Sequence, residues 1–233
     1  MTFKNSRNQK RIKCSIAKKI KSYNTKLKLT DEIQNSIDTI LRIPVPDERK
    51  KVLEPLVSYI KNKIELQDKI YLNFICTHNS RRSQFSQIWA DTASIFYNIP
   101  IESFSGGVEI TELNEQVLIS LKNCGFFIER EKIYNSGHEI FMFPTLQSLR
   151  MFSKLHNDPI NPKDKFAAVM TCSHADKNCP IISGAEIRIP IMYDDPKLFD
   201  NTPEKVSKYQ ECCHQIASEM FYLFHKVKIL INE

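Results

Sequence analysis

The sequence predicts an α/β fold, a doubly wound parallel sheet of four strands with an N-terminal helical extension. From residue 69 onward, short apolar runs alternate with stretches of helical periodicity, the pattern of strands joined by crossover helices. Cys76, Cys172 and Asp195 each follow one of these apolar runs. Because chemistry in parallel sheets collects at the carboxyl ends of strands, we expect these three residues to lie close together.

Residues 1–30 form a basic tail. They hold ten Lys or Arg and no Asp or Glu, whereas the rest of the chain carries 23 basic and 27 acidic residues. The overall charge of +6 therefore reflects the tail, and the main body is mildly acidic. Basic residues are not spread over a groove-sized face, which argues against a nucleic-acid-binding protein. We predict a disordered, solvated tail; a segment that contacts an anionic partner and a targeting segment are the alternatives.

Residues 31–68 are predicted to form a helical extension that packs on the main domain. Apolar residues recur at helical spacing on either side of Pro44 and Pro46, which indicates two helices. Thr30 is a suitable N-cap for the first of them, because acidic residues follow it in the opening turn.

Residues 69–233 are predicted to form the catalytic α/β domain. Its four strands are expected at 69–75, 101–107, 165–171 and 186–193, and its long helices at 83–98, 111–125 and 203–227. The second helix is predicted to begin at a Thr111 cap and to end at Gly125. Two extended runs on either side of residues 136–138 indicate a hairpin or an added sheet edge.

The loop CTHNSRRS at 76–83 lies between the first strand and the first helix of this domain. At such a position backbone N–H groups and the helix dipole gather around an anion, so Cys76 is expected to be a nucleophilic thiolate. Arg82 adds a charged fork that suits two oxyanion oxygens, and Asn79 tolerates a left-handed backbone. A buried structural cysteine beside a helix cap is the alternative. The predicted oxyanion-binding residues are Thr77, His78, Asn79, Ser80, Arg81, Arg82 and Ser83.

Cys172 and Cys179 follow the third strand and are seven residues apart. A metal site is disfavoured because CxxC spacing and a matching second pair are absent. On a helix both cysteines would share one face with Cα atoms roughly 10 Å apart, whereas a disulfide needs about 4.4–6.8 Å. Disulfide formation would therefore require the segment to unwind, which indicates a redox switch. Two structural buried cysteines are the alternative.

Asp195 follows the fourth strand in the segment YDDP. A carboxylate that faces the thiolate loop could be protonated through charge repulsion and so act as general acid to a leaving oxygen. An Asp-Pro pair is otherwise a common start of a loop.

CTHNSRRSQ, CSHADKNCP and YDDP, in this order, resemble the thioredoxin-coupled arsenate reductases, which share the low-molecular-weight protein-tyrosine phosphatase fold. The resemblance covers roughly residues 69–227. It implies that Cys76 is the nucleophile, that Arg82 binds the oxyanion and that Asp195 is the acid. It further implies that Cys172 is the second thiol and Cys179 the resolving thiol.

This chain departs from the family pattern at three places. His78 stands where relatives usually have glycine, and Gln87 replaces a glutamate that helps to form a cation site in some reductases. The stretch at 106–165 is longer than usual, which could reshape the entrance for the substrate.

The resemblance leaves several functions open. The first is reduction of arsenate to arsenite through Cys76, Cys172 and Cys179, with thioredoxin as electron donor and no bound cofactor or metal. The second is a low-molecular-weight phosphatase that hydrolyses phosphotyrosine or small phosphoesters, in which Cys172 and Cys179 would protect Cys76 from oxidation. A non-enzymatic redox-sensing or oxyanion-binding module is the third.

Seven cysteines, an odd number, occur in a chain rich in core-forming residues. Such cysteines are typical of a reducing compartment, where they are more often catalytic or buried than disulfide-bonded. The sequence has no run of eighteen apolar residues and no signal peptide. We therefore expect a cytoplasmic protein whose partners are a small oxyanion and thioredoxin, not a membrane.

Overall fold

The computed structural model describes residues 29–130, 138–141, 148–178 and 181–232. The basic tail and Cys179 lie outside the described residues, so the predictions for them stay predictions. None of the helices in the described segments combines the length and the apolar character that a membrane crossing requires.

The described elements follow the predicted alternation of strand and helix. The helices are α1 (Asp31–Ile40), α2 (Asp47–Glu65), α3 (Arg82–Tyr97), α4 (Glu115–Asn123), α5 (Ser173–Asn178) and α6 (Lys205–Asn232), with a 3-10 helix at Pro196–Phe199. The strands are β1 (Tyr71–Cys76), β2 (Glu102–Gly107), β3 (Phe127–Arg130), β4 (His138–Phe141), β5 (Ser148–Met151), β6 (Phe166–Met170) and β7 (Ala185–Pro190).

The main sheet has four parallel strands in the order β2-β1-β6-β7, which confirms the predicted sheet. Successive residues of β1 belong to different hydrophobic clusters: Phe74 packs in the larger cluster and Ile75 in the smaller one. Because alternate side chains of a strand point to opposite faces, both faces of the sheet are covered. Ile75 and Met170 are paired in the register of β1 and β6, so the residues that follow these strands lie side by side.

The predicted hairpin is confirmed, and it belongs to a separate sheet. Strands β3, β4 and β5 form a three-stranded antiparallel sheet that is distinct from the main one. The turn that joins β3 to β4 lies outside the described residues.

The extension shares the larger hydrophobic cluster with the main sheet. Its buried residues include Ile33 and Ile37 of α1 and Leu56 and Ile60 of α2, and they pack in the same cluster as the apolar face of α6. The Thr30 cap is confirmed, because its hydroxyl accepts a hydrogen bond from the backbone N–H of Ile33 at 3.3 Å.

The predicted cap of α4 is wrong. The helix begins after Asn114, whose side chain accepts a hydrogen bond from the backbone N–H of Gln116 at 2.9 Å. Thr111 serves another purpose, since its hydroxyl donates to the carbonyl oxygen of His78 in the anion loop. Gly125 ends the helix as predicted. Its φ of +85° is a left-handed conformation, and the backbone of Glu32 lies only 2.7 Å from where a Cβ would stand.

Candidate active site

The anion loop occupies residues 77–81, between the last residue of β1 and the first residue of α3. Cys76 is only 3% exposed, and Thr77, Asn79 and Ser80 are buried as well. The side chain of His78 is 33% exposed and pairs with Glu109 at 3.3 Å. The loop is therefore a buried cradle with a histidine at its rim.

The sulfur of Cys76 accepts hydrogen bonds from two groups of the loop and helix. The backbone N–H of Asn79 donates to Sγ at 3.1 Å, and the hydroxyl of Ser83 lies 3.1 Å from Sγ. The Asn79 side-chain amide donates to Ser83 Oγ at 2.9 Å, and the Ser83 hydroxyl donates its proton to the sulfur when Cys76 is a thiolate. Cys76 is thereby held as an acceptor, which suits a nucleophile.

The backbone of the loop presents unpaired donors, as an oxyanion site requires. The N–H groups of His78 and of residues 80–83 have no acceptor within the described part of the chain. Asn79 makes the turn possible, because its φ of +47° lies in the left-handed region, as predicted. Donors that converge at the start of a helix bind anions well.

Arg81 of the loop and Arg82, the first residue of α3, both contact the acid segment, residues 193–196. Arg82 donates from Nη2 to Asp195 Oδ2 at 2.6 Å and from Nη1 to the carbonyl oxygen of Tyr193 at 3.0 Å. Arg81 donates from Nε to Asp195 Oδ1 at 3.0 Å. The Nε–H of Arg82 is buried without a hydrogen-bond partner among the described residues, so it is a donor available to an oxyanion. Because its guanidinium is engaged with Asp195, Arg81 contributes only a backbone N–H to the predicted oxyanion set.

Asp195 is in place beside the loop, but its surroundings differ from those we expected. We predicted a carboxylate that faces the negative charge of the thiolate. Its two oxygens instead face the guanidinium groups of Arg81 and Arg82. Oδ1 also accepts a hydrogen bond from the backbone N–H of Lys197 at 3.1 Å, and it caps the 3-10 helix in this way. Asp195 therefore combines the common Asp-Pro turn with a link to the anion loop.

Cys172 lies beside the anion loop, because β6, which precedes Cys172, is the neighbour of β1 in the sheet. Its Sγ is 3.3 Å from the hydroxyl oxygen of Thr77, and it shares the smaller hydrophobic cluster with Cys76. The backbone N–H of Ala175 donates to this sulfur at 3.4 Å, so the thiol also caps α5. The segment after Cys172 is helical from Ser173 to Asn178.

Two residues of the long 106–165 stretch form hydrogen bonds with the anion loop, and the sequence did not indicate either of them. The hydroxyl of Ser153 donates to the carbonyl oxygen of His78 at 2.7 Å. The backbone N–H of Lys154 donates to Asn79 Oδ1 at 3.1 Å. No sequence signal marked either residue, because both act through contacts about 75 positions away in the chain.

Lys154, whose backbone contacts the anion loop, has a buried ammonium group. Its side chain is 3% exposed, and Nζ lies 3.4 Å from Ser105 Oγ and 4.8 Å from the centre of the Phe152 ring. Burial lowers the pKa of Lys154 from 10.5 to about 8. A cation kept in the interior at neutral pH disfavours folding by about 3 kcal/mol, so it is a candidate for a functional role.

Lys154→Met is therefore expected to stabilise the fold by about 1–3 kcal/mol at pH 7, because methionine has a similar length and no charge. The folded-state pKa is below the unfolded one. Between about pH 8 and pH 10 the unfolded chain binds more protons at this site, so the wild type should gain stability as pH rises. The free energy of unfolding from urea titrations at several pH values tests this. Parallel curves for wild type and variant would contradict it.

A second polar cysteine environment lies in the larger hydrophobic cluster, where the sequence indicated no chemistry. The Gln210 amide donates to Cys124 Sγ at 3.3 Å, and the Trp89 indole N–H donates to Cys213 Sγ at 3.2 Å. Hydrogen bonds from Cys213 and from His214 lower the pKa of the Cys124 thiol, whereas burial raises that of Cys213. This pair is separate from the cysteines beside the anion loop.

Several curated proteins are similar to this chain, although no family model matches it. Arsenate reductase 2 of Staphylococcus epidermidis is 30% identical over 129 residues, which make up 55% of this chain and 80% of that protein. An arsenate reductase of Brevibacillus brevis is 26% identical over 131 residues, 56% of this chain and 80% of that protein.

Solved structures with lower identity were also found. An arsenate reductase in a phosphate-binding state has a TM-score of 0.44 and 16% identity, and covers 68% of this chain and 98% of its own. A low-molecular-weight protein-tyrosine phosphatase of T. tengcongensis has a TM-score of 0.46 and 16% identity, and covers 70% of this chain and 99% of its own. A thioredoxin-dependent arsenate reductase of Corynebacterium glutamicum has a TM-score of 0.41 and 17% identity, and covers 85% of each chain.

The sequence relatives agree with the arrangement of thiol, loop and parallel sheet described above. The matched sequence relatives are arsenate reductases, and the protein is thus an enzyme of that kind. Since the chain matches 80% of the length of a reductase at 30% identity, it belongs to the arsenate reductase family.

Proposed function

We propose that this enzyme reduces arsenate to arsenite through successive attacks by Cys76, Cys172 and Cys179, and that thioredoxin recharges it. The observation that carries the proposal is the 3.3 Å contact between Cys172 Sγ and the hydroxyl of Thr77, the residue next to the nucleophile. A hydrolase needs a nucleophile, an oxyanion site and an acid. A second buried thiol against the same loop is an additional requirement of a thiol relay.

In the first step the loop binds arsenate and Cys76 attacks it. The donors are the free N–H groups of His78 and of residues 80–83, together with Arg82 Nε. A bond forms between Cys76 Sγ and arsenic, one As–O bond breaks, and the departing oxygen takes a proton from Asp195, which has first taken that proton from water. Arg82 has to loosen its contact with Asp195 for this transfer, and Arg81 keeps the carboxylate in place through Oδ1.

In the second step the Cys172 thiolate attacks Cys76 Sγ. A disulfide forms between the two sulfurs as the S–As bond breaks, and the electron pair of that bond stays on arsenic. Arsenic is thereby reduced from As(V) to As(III), the two thiols are oxidised, and arsenite leaves the loop.

In the third step Cys179 attacks Cys172 and frees the Cys76 thiolate. The resulting Cys172–Cys179 disulfide is reduced by a dithiol of the thioredoxin class, which becomes oxidised in turn. Such recharging needs a reducing compartment, so we assign the protein to the cytoplasm.

Cys172→Ser tests this relay. The variant is expected to lose catalytic arsenate reduction, at least about 100-fold in rate, because no second thiol is left to break the S–As bond. Its hydrolysis of para-nitrophenyl phosphate is expected to stay within about twofold of the wild type, because that reaction uses only the loop and the acid. Arsenite release and nitrophenol release are measured on the same preparations.

Cys124→Ser is the matched control, since it replaces a buried cysteine in the other hydrophobic cluster. It should retain both activities. If Cys172→Ser reduces arsenate as fast as this control, the relay is wrong. Phosphatase activity in the wild type without any arsenate turnover would make the enzyme a phosphatase instead.

A further inference from the structure

A buried thiol that acts as a nucleophile needs a path by which its proton can leave. Cys172 is only 2% exposed and Thr77 is 8% exposed, so water does not reach this sulfur freely. The proposed relay, on which this inference rests, requires Cys172 to ionise in every turnover.

The structure contains a chain of hydrogen bonds from this thiol to the surface. Thr77 Oγ1 is 3.3 Å from Cys172 Sγ and 3.2 Å from Nδ1 of His174. His174 lies in the first turn of α5 and is exposed. One hydroxyl group therefore connects a buried sulfur to an imidazole that can exchange protons with the solvent.

These hydrogen bonds can be formed both before and after a proton leaves Cys172. When the thiol is protonated, S–H donates to Thr77 Oγ1, and the Thr77 hydroxyl donates to Nδ1 of a neutral imidazole. After transfer, the imidazolium N–H donates to Oγ1 and the hydroxyl donates to the thiolate. Two protons move, one from Sγ to Oγ1 and one from Oγ1 to Nδ1, and the N–H of Ala175 donates to the sulfur at 3.4 Å.

We propose that His174 accepts the proton of Cys172 through the hydroxyl of Thr77 and passes it to the solvent. Cys172 gives its proton to Thr77 as Thr77 gives its own to Nδ1, so the hydroxyl is unchanged overall. The thiolate then attacks Cys76 Sγ, and the imidazolium releases its proton to water. His174 thus acts through Thr77, and it does not touch the substrate.

Neighbouring charged groups have partners of their own. Asp176, on the same helix, pairs with Arg188 of β7 at 2.7 Å. Across the loop, His78 pairs with Glu109 at 3.3 Å. Lys177 on α5 is exposed. The hydroxyl of Thr77 lies within hydrogen-bond distance of both His174 and Cys172.

The first test is chemical rescue in a single turnover. His174→Ala is expected to slow arsenite release about 10- to 100-fold, and added imidazole should restore part of the rate, because the site is open to solvent. Thr77→Val should slow the step similarly without a response to imidazole, whereas Thr77→Ser, which keeps a hydroxyl, should recover most of the rate lost in Thr77→Val. His225→Ala is the control for the loss of a histidine elsewhere. A His174→Ala variant as fast as that control would overturn the proposal.

The second test needs no arsenate, so it remains decisive if the proposed function fails. Thiolate absorbance at 240 nm is titrated with pH, and the curve of Cys172→Ser is subtracted to isolate Cys172. In His174→Ala the thiolate absorbance assigned to Cys172 should be smaller than in the wild type at the same pH, because no imidazole is left to accept the proton. Coincident curves for His174→Ala and wild type would reject the connection between the two residues.

Discussion

Cys76→Ser is expected to abolish arsenate reduction and phosphoester hydrolysis together, at least about 10⁴-fold in rate. A serine hydroxyl is hardly ionised near neutral pH, so the bond to arsenic or phosphorus cannot form. The hydrogen bonds from the Asn79 N–H and the Ser83 hydroxyl can be made to an oxygen as well. The variant should therefore fold and bind oxyanions.

Both rates are measured beside binding of inorganic phosphate by calorimetry, which reports an intact loop. Cys124→Ser serves as the control for the loss of a buried thiol. Retention of more than about one per cent of either activity would contradict the assignment of the nucleophile.

Arg49→Ala is expected to destabilise the fold by about 3–5 kcal/mol. The Arg49 guanidinium forms a two-pronged ion pair with Glu219, with N–O distances of 2.8 and 2.7 Å. Glu219 is only 1% exposed, so removal of the arginine leaves a buried carboxylate without its positive partner. Urea denaturation at pH 7 measures the change.

Two further variants give this prediction its controls. The double variant Arg49→Ala/Glu219→Leu should be more stable than Arg49→Ala alone, because it removes the orphaned charge as well. Lys50→Ala removes an exposed pair with Asp47 and should leave stability unchanged. Equal effects of Arg49→Ala and Lys50→Ala would show that the buried pair does not support the fold.

The same arginine links the N-terminal extension to the acid segment. Its guanidinium carbon lies 5.0 Å from the centre of the Tyr193 ring, and the carbonyl oxygen of Tyr193 accepts a hydrogen bond from Arg82. The extension thus contacts the segment that carries Asp195.

The main sheet and the convergence of three site residues could be predicted from local patterns. The apolar runs predicted the four strands. Parallel strands bring the residues at their carboxyl ends to one edge of the sheet. Cys76 and Cys172 meet there through Thr77, and Asp195 meets Arg81 and Arg82. Strand alternation, crossover connections and loop chemistry are properties of short stretches of sequence.

Contacts between distant segments could not be predicted in this way. Such contacts depend on which segments the fold brings together. Lys154 contacts Asn79, which is 75 positions away, and Arg49 pairs with Glu219, which is 170 positions away. The arginine partners of Asp195 could not be predicted, because Arg81 and Arg82 are 114 and 113 positions away from it in the sequence. The sequence places His174 between two cysteines, but it does not show that the hydroxyl of Thr77 lies 3.2 Å from Nδ1 of His174.

Arsenate-dependent oxidation of NADPH, with thioredoxin and thioredoxin reductase present, tests the central proposal most directly. The wild type is expected to consume one NADPH for each arsenite formed, since each turnover leaves one Cys172–Cys179 disulfide to be reduced. Cys172→Ser is expected to consume none above background. Absence of NADPH oxidation by the wild type, with steady hydrolysis of an aryl phosphate by the same preparation, would contradict arsenate reduction as its function.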